Sequence, residues 1–207
     1  MFPLGTVLFP HAVLPLHVFE PRYRAMLRDV LAGDQEFGVV LIERGSEVGG
    51  GDVRFDVGTM AHIVQASELP DGRFALAVVG VHRFRVERWL PDDPYPRAEV
   101  VELSGPTTIQ APDAHAAEIA LVAPVVKALD ELYALVALVQ GLEAPDPIEV
   151  SPDPEQASFE LAARAALGPL DAQQLLEVPD TAARLRALRV LLTDAVTTMR
   201  ARMGEEG

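Results

Sequence analysis

The sequence predicts an α+β fold in which a β-rich half, residues 1–105, precedes a helical half, residues 113–207. In the first half, short runs of Val, Leu, Ile and Phe are bounded by Gly, Pro and Asp, which is the pattern of strands and turns. In the second half, apolar residues recur at spacings of three and four, which is the pattern of helices. The stretch 104–112, with its Ser, Gly and Pro residues, separates the two patterns.

Seven apolar runs in the first half are candidate strands, and one helix interrupts them. The strands are expected at residues 4–9, 13–19, 37–43, 57–66, 74–79, 82–90 and 97–103. Asp71 and Gly72 lie between two of these runs and favour a tight hairpin turn, because both residue types accept positive φ angles. The helix is expected to begin at Pro21, where a missing N–H costs nothing, and to end at Leu31.

Four helices are expected in the second half. Asp113 can cap the first of them, and Pro124 should kink or split it. Its periodic apolar residues are Ile119, Val122, Val126, Leu129, Leu132 and Val136. A Pro- and acid-rich loop at 143–154 then leads to three further helices. These are expected at 154–168, at 170–177 and from Asp180 onward.

The charge of the chain is strongly acidic, with a net value of −14, and the chain contains no cysteine. Residues 113–180 hold 13 acidic side chains against only Lys127 and Arg164. Such a surface repels phosphate, so we do not expect binding to nucleic acid or to anionic membranes. The absence of cysteine excludes disulfides and thiolate chemistry and fits a cytoplasmic location. No run of 18 apolar residues predicts a membrane span.

The sequence lacks the residue patterns that catalysis would need. We therefore predict no catalytic, cofactor-binding or metal-binding residue. Lys127 is the one lysine and falls at a polar helix position, and no serine occupies a Gly-x-Ser-x-Gly turn. The five histidines are scattered and show no metal-ligand spacing. They are His11, His17, His62, His82 and His115. The glycine loop 45–52 lacks the Gly-Lys-Ser/Thr that a phosphate loop requires.

Three stretches carry a resemblance to a known family. They are "FPLGTVLFPHAVLPLHVFEPRYRAML" (2–27), "GTMAHIVQASELPDGRFALAVVGVHRFRV" (58–86) and "YPRAEVVEL" (95–103). Together they resemble the N-terminal, substrate-binding domain of Lon proteases, and the helical half "LAARAALGPLDAQQLLEVPDTAARLRALRVLL" follows the same pattern. The resemblance implies a PUA-like, β-rich pseudo-barrel followed by a helical bundle.

The resemblance also implies a function, namely recognition of an unfolded or partner polypeptide without chemistry. Full Lon proteases continue into an ATPase module and a Ser-Lys protease domain, and this sequence contains neither. We therefore expect a stand-alone bacterial protein that serves as an adaptor or regulator in proteolysis. Peptidase-related activity is one alternative. RNA or nucleotide binding through the PUA-like fold is another, although Arg83 and Arg85 beside Phe84 make a thin basic footprint. The oligomeric state is left open.

Candidate surfaces for the polypeptide are two loops, the groove between barrel and helices, and an exposed strand edge. The loop residues are Phe9, Pro10, His11, Val48, Gly49 and Gly50. They belong to the segment "FPHAV" and to the glycine loop, where apolar residues expected to be exposed lie beside flexible glycines.

Charged residues near the apolar runs are expected to act as a structural clamp, and a part in a binding surface is the alternative. The clamp residues are Glu20, Arg22, Arg24 and Arg83. Glu20 precedes the helix that starts at Pro21, where the helix dipole favours a carboxylate, and the arginines should pair with carboxylates.

Inward-facing residues follow from the same patterns. Phe19, Tyr23, Met26 and Leu27 are expected to pack into the barrel. In "HRFRV", strand alternation directs Phe84 and Val86 inward and directs Arg83 and Arg85 outward.

Overall fold

A computed structural model describes residues 1–45, 51–103, 112–143 and 145–205 of the chain. Backbone contacts divide it into two compact units. The first comprises Met1–Ser104 and Gly168–Glu177, and the second comprises Gly105–Leu167 and Val178–Gly207. The domain limits expected from the sequence, 1–105 and 113–207, stay a prediction.

Among the residues that the structure describes, a six-stranded sheet forms the framework of the first unit. Its strands are β1 (Phe2–Leu4), β2 (Val13–Val18), β3 (Glu36–Arg44), β4 (Val53–Glu68), β5 (Phe74–Leu90) and β6 (Arg97–Leu103). The order along the sheet is β1-β3-β4-β5-β2, and β6 also pairs with β5. The pair β1–β3 is parallel and the remaining pairs are antiparallel.

Strand β5 is long because it serves two partners in succession. Its first part, Phe74 to Val79, pairs with β2, and its later part, Arg83 to Leu90, pairs with β6. Because β4 occupies the opposite edge of β5 from Phe74 to Arg85, β2 and β6 share one edge. The two runs expected at 74–79 and 82–90 are therefore one strand.

The segment between β1 and β2 is attached to the middle of the sheet, which fixes where β2 begins. Thr59 Oγ1 donates to the Leu8 carbonyl, and the His11 N–H donates to the Gly80 carbonyl over 2.8 Å. A Cβ atom on Gly80 would collide with the Phe9 carbonyl, so this close approach requires glycine. The strand expected at 4–9 is wrong beyond Leu4, because β1 ends there.

Helix α1 (Pro21–Leu31) covers the core of the first unit. Pro21 occupies its first turn, and the buried face consists of Tyr23, Met26 and Leu27, which confirms the expected helix. These side chains pack with residues of β1, β2 and β3 in one apolar cluster. The hairpin between β4 and β5 has the expected form, with Gly72 at a φ of 76°.

Helix α4 (Pro169–Glu177) belongs to the first unit, although the stretches that precede and follow it in the sequence belong to the second. The side-chain amide of Gln173 donates to the Val57 carbonyl of β4 over 3.0 Å. The Arg83 guanidinium of β5 donates to the Leu176 carbonyl over 2.8 Å. Both polar side chains are buried, so α4 is held by hydrogen bonds that replace lost contacts with water.

The second unit contains α2 (Pro112–Gln140), α3 (Pro154–Arg164) and α5 (Thr181–Glu205). Its core includes Leu129 from α2, Leu161 from α3 and Leu188 from α5, all fully buried. Asp153 caps α3 by accepting from the Gln156 N–H over 2.8 Å. Pro124 lies inside α2, which continues through it as one helix, so of the two expected effects the split is wrong and the kink stays a prediction.

The α+β fold class is confirmed, and two side-chain expectations are wrong. Phe19 is 54% exposed rather than packed into the sheet, because strand alternation with buried Val18 directs it away from the core. Arg83 is 4% exposed rather than outward-facing, because helix α4 covers the face of β5 on which it lies. Phe84 and Val86 are buried and Arg85 is exposed, as expected.

Candidate functional site

A cleft beside the edge of the sheet is the candidate site of the first unit. We call it the β1–β2 cleft: it is lined by Phe2, Leu4 and Thr6, by residues 14–20, and by Tyr23. It encloses about 230 Å³. Most of the lining is aliphatic or aromatic, with Thr6, His17 and Glu20 as polar members. Such a cleft suits an apolar group with a few oriented polar contacts.

Strand β2 forms one wall of the cleft, and its sequence is "VLPLHV". The odd positions Val13, Pro15 and His17 are exposed, whereas Leu16 and Val18 are buried. Phe19 follows as an exposed aromatic residue at the same end of the cleft as Glu20. Pro15 inside a strand is a signal of an edge strand, and it could have identified this wall from the sequence.

Tyr23 lies at the inner side of the cleft and is electrostatically unusual. The Tyr23 ring packs against Phe2, with 4.5 Å between ring centroids. The Arg22 guanidinium carbon lies 4.4 Å from the centroid of the Tyr23 ring. Its buried hydroxyl has no hydrogen-bond partner among the described residues. Burial raises the pKa of Tyr23 to about 12, so the hydroxyl is protonated at neutral pH.

The substitution Tyr23→Phe is expected to leave stability unchanged or to raise it by about 1 kcal/mol, because it removes a buried hydroxyl that lacks a partner. The folded pKa lies above the usual 10, so the unfolded state loses this proton first as the pH rises. The native protein should therefore lose stability between pH 10 and 12, and the variant should lose less. Urea unfolding at pH 8 and at high pH measures both effects.

Tyr133 offers the matched control for this substitution. Its hydroxyl donates to the Arg164 carbonyl over 2.6 Å, so Tyr133→Phe should lower stability by about 1 kcal/mol. Equal losses in the two variants would contradict the account of Tyr23.

The four clamp residues predicted from the sequence occupy three different places. Glu20 and Arg22 form an ion pair at the start of α1, with 3.2 Å between Oε2 and Nε. Arg24 reaches the hairpin, where a Cβ on Gly72 would collide with its guanidinium. Arg83 binds the Leu176 carbonyl, as described above. The structure thus joins Arg22 to Glu20 and places Arg24 and Arg83 against backbone elsewhere in the unit.

The predicted partner-binding loops are placed differently from what the sequence suggested. Phe9 and Pro10 are buried, so the expected apolar exposure is wrong at both residues. His11 is exposed, at a φ of 64° in the turn. Val48, Gly49 and Gly50 lie outside the described residues. A role of these six residues in partner binding stays a prediction.

A second, wider pocket lies on α2 in the second unit and encloses about 480 Å³. Its apolar wall is formed by Ile119, Val122 and Val126, and its polar rim includes Lys127 and Ser151. Ser151 Oγ accepts from the Asp153 N–H at the start of α3, which gives this serine a local structural role.

Two further kinds of feature are absent from the described residues. Within residues 1–45, 51–103, 112–143 and 145–205, no group of three His, Asp or Glu side chains could hold a metal ion. Over the same ranges, no helix has both the length and the apolar character that crossing a membrane requires.

Comparison with known proteins places the chain in a family. The family profile described as the ATP-dependent protease La (LON) substrate-binding domain matches residues 1–194. Lon protease 2 of Herpetosiphon aurantiacus is 31% identical over 202 residues, which are 95% of this chain and 23% of that protein. Lon protease 2 of Myxococcus xanthus is 29% identical over 91% of this chain and 22% of its own length. The chain thus spans less than a quarter of these curated relatives.

Solved structures agree with the sequence comparison. A Lon N-terminal domain protein from Xanthomonas campestris is 28% identical, with a TM-score of 0.63 over 90% of this chain and 94% of that one. The N-terminal domain of the Mycobacterium avium complex Lon protease shares the fold at 21% identity, with a TM-score of 0.56 over 94% and 96% of the two chains. The profile match over most of the chain shows that it belongs to the LON substrate-binding domain family.

Proposed function

We propose that this protein is a non-catalytic recognition module that binds unfolded or partner polypeptides. The observation that carries the proposal is the apolar β1–β2 cleft, which lies beside an edge strand of the sheet. Family membership supports it, because the matched domain is the substrate-binding part of Lon proteases. The matches cover only this part of the relatives, so no catalytic domain is evident in the chain.

The finer role that we propose is that of an adaptor or regulator in proteolysis. A domain that binds polypeptides without degrading them can deliver a client to a separate protease or withhold it. The cytoplasmic location and bacterial origin inferred from the sequence belong to the same proposal.

Binding to a defined unfolded protein tests the proposal. Lysozyme that has been reduced and carboxamidomethylated at its cysteines is unfolded and basic, and native lysozyme is its folded control. We expect fluorescence anisotropy to give a saturable curve for the unfolded form and a much weaker response for the native form. Absence of saturable binding to the unfolded form, at low and at moderate salt, would refute the proposed function.

Peptidase activity is the alternative that one observation singles out, because Lys127 and Ser151 line the same pocket. A Ser-Lys mechanism needs a lysine amine that is withdrawn from water, whereas Lys127 is exposed. We expect no casein degradation by the purified protein, with or without ATP, and no difference for Lys127→Ala. Degradation that survives further purification and disappears in Lys127→Ala would establish the alternative.

A further inference from the structure

We propose that the β1–β2 cleft binds one extended polypeptide segment as an added strand along β2, with one large apolar side chain in the cleft and a preference for basic flanks. This inference rests on the proposed function and specifies its site and its ligand.

The edge of β2 is the first ground for this proposal. Strand β2 pairs with β5 through Val13 to Val18 and ends the strand order of the described sheet. A proline inside an edge strand places its missing N–H on the open side, since otherwise a ladder hydrogen bond would be lost. Alternation then directs the backbone groups of Val13, Pro15 and His17 away from β5. At about 3.3 Å per residue, six residues offer an edge of roughly 20 Å.

The side chains of β2 leave this edge accessible. Natural edge strands are usually protected by charged side chains, especially lysine. Strand β6, which shares the same side of β5, carries Arg97, Glu99 and Glu102. Strand β2 carries no Lys, Arg, Asp or Glu, and Val13 is 66% exposed at its start. The contrast indicates that β2 is the edge on which a partner strand can be added.

The dimensions of the cleft define the side chain that it accepts. An apolar cavity of about 150 Å³ is large enough for benzene, so the 230 Å³ here can hold one Leu, Met or Phe side chain. The walls offered to it are Phe2, Leu4, Leu14 and Tyr23. Side chains of an added strand alternate between its two faces, so only every second residue of the segment can enter.

The negative charge of the chain determines which residues are preferred at the two ends of the bound segment. The first 105 residues hold 15 acidic and 10 basic side chains, and the whole chain has a net charge of −14. Glu20 lies at the cleft, where Arg22 pairs with it. The field of the whole chain should therefore attract a segment flanked by Lys or Arg and repel one flanked by Glu. The preference should shrink as salt is added.

Labelled synthetic peptides are the probes for the test. The core peptide alternates Val and Thr around one central Leu and has Lys at both ends. A matched peptide has Glu at both ends, and a third carries N-methyl groups on alternate backbone nitrogens. We expect the Lys-flanked peptide to bind about tenfold more tightly than either of the others at low salt. Equal affinity of the Lys- and Glu-flanked peptides would overturn the charge preference, and equal affinity of the N-methylated peptide would overturn strand addition.

The variant His17→Pro removes one N–H from the open edge, and we expect it to weaken binding of the Lys-flanked peptide about tenfold. His17→Thr, which keeps this N–H, should lose clearly less. The matched control is Arg97→Pro at the first residue of β6, which should bind as the unaltered protein does. A folded His17→Pro protein that binds normally would overturn strand addition. If this variant does not fold, the N-methylated peptide decides the same question.

The variant Thr6→Trp fills the cleft from an exposed position and should also abolish tight binding of the peptide. Normal binding by Thr6→Trp would overturn the assignment of the cleft. A protein that binds unfolded lysozyme but none of the peptides would contradict the site while leaving the proposed function intact. A protein that binds neither would refute both.

Discussion

Replacing Arg184 by alanine is expected to lower the free energy of unfolding by about 3 kcal/mol or more. Arg184 lies in α5 and is fully buried. Its guanidinium donates to Ser158 Oγ and to the Val178 carbonyl, each over 2.8 Å, and to Thr181 Oγ1 over 3.4 Å. It also stacks over Phe159, 3.8 Å from the ring centroid. Hydrogen bonds to charged groups contribute about 1.5–3 kcal/mol each, and truncation would leave the Ser158 and Thr181 hydroxyls buried without this donor.

Urea unfolding of the purified variants measures this effect. Arg186→Ala, on the exposed side of the same helix, is the matched control and should change stability by no more than about 0.5 kcal/mol. Arg184→Lys should recover only part of the loss, because an ammonium group cannot reproduce the planar fork of a guanidinium. A loss below about 1 kcal/mol in Arg184→Ala would show that these contacts contribute little.

Replacing Phe84 by alanine is expected to cost about 3–5 kcal/mol, the usual range for a buried aromatic residue. Phe84 is fully buried in a cluster with Val40 and Val86. Its ring occupies the space in which Gly38 and Gly58 would carry a side chain: a Cβ on either would lie within 2.8 Å of the ring. These glycines therefore accommodate the aromatic ring.

A double-mutant cycle tests this relation between Phe84 and Gly38. Gly38→Ala alone should destabilise by about 1–3 kcal/mol through overpacking. In the Phe84→Ala background the added methyl group no longer meets the ring and contacts only the flexible end of the Met1 side chain. Its cost should therefore fall, and the difference is a measurable coupling energy. Phe19→Ala, at an exposed aromatic residue, is the control for stability and should be nearly neutral. Strict additivity of the two core substitutions would contradict the packing account.

The start of α1 and the turn between β4 and β5 could be predicted from a few neighbouring residues of the sequence. Pro21 begins α1, and the turn at Asp71 and Gly72 joins β4 to β5, because both depend on backbone angles of a few neighbouring residues. The alternation in "HRFRV" correctly assigned Phe84 and Val86 to the core. The expectation that Phe19 packs inward is wrong, because its position directly after the buried Val18 directs it away from the core.

Features that depend on distant parts of the chain could not be predicted in this way. Arg83 is buried because α4, about ninety residues later, covers it, and no local pattern reports such a contact. Gly80 resembles a strand break, yet it lies within β5, where it admits the Phe9 carbonyl. The β1–β2 cleft brings together Phe2 and residues 14–20, and only Pro15 marked this wall as an edge.

Helix α4 has a consequence for any attempt to dissect this protein or to build chimaeras from it. Since Gly168–Glu177 belongs to the first unit, the chain leaves that unit after Ser104 and returns to it some sixty residues later. A fragment cut at the apparent linker would lack the carbonyl that Arg83 binds and the amide that Gln173 gives to Val57. Transfer of the intact first unit into a relative therefore calls for grafting two separate stretches of sequence rather than one.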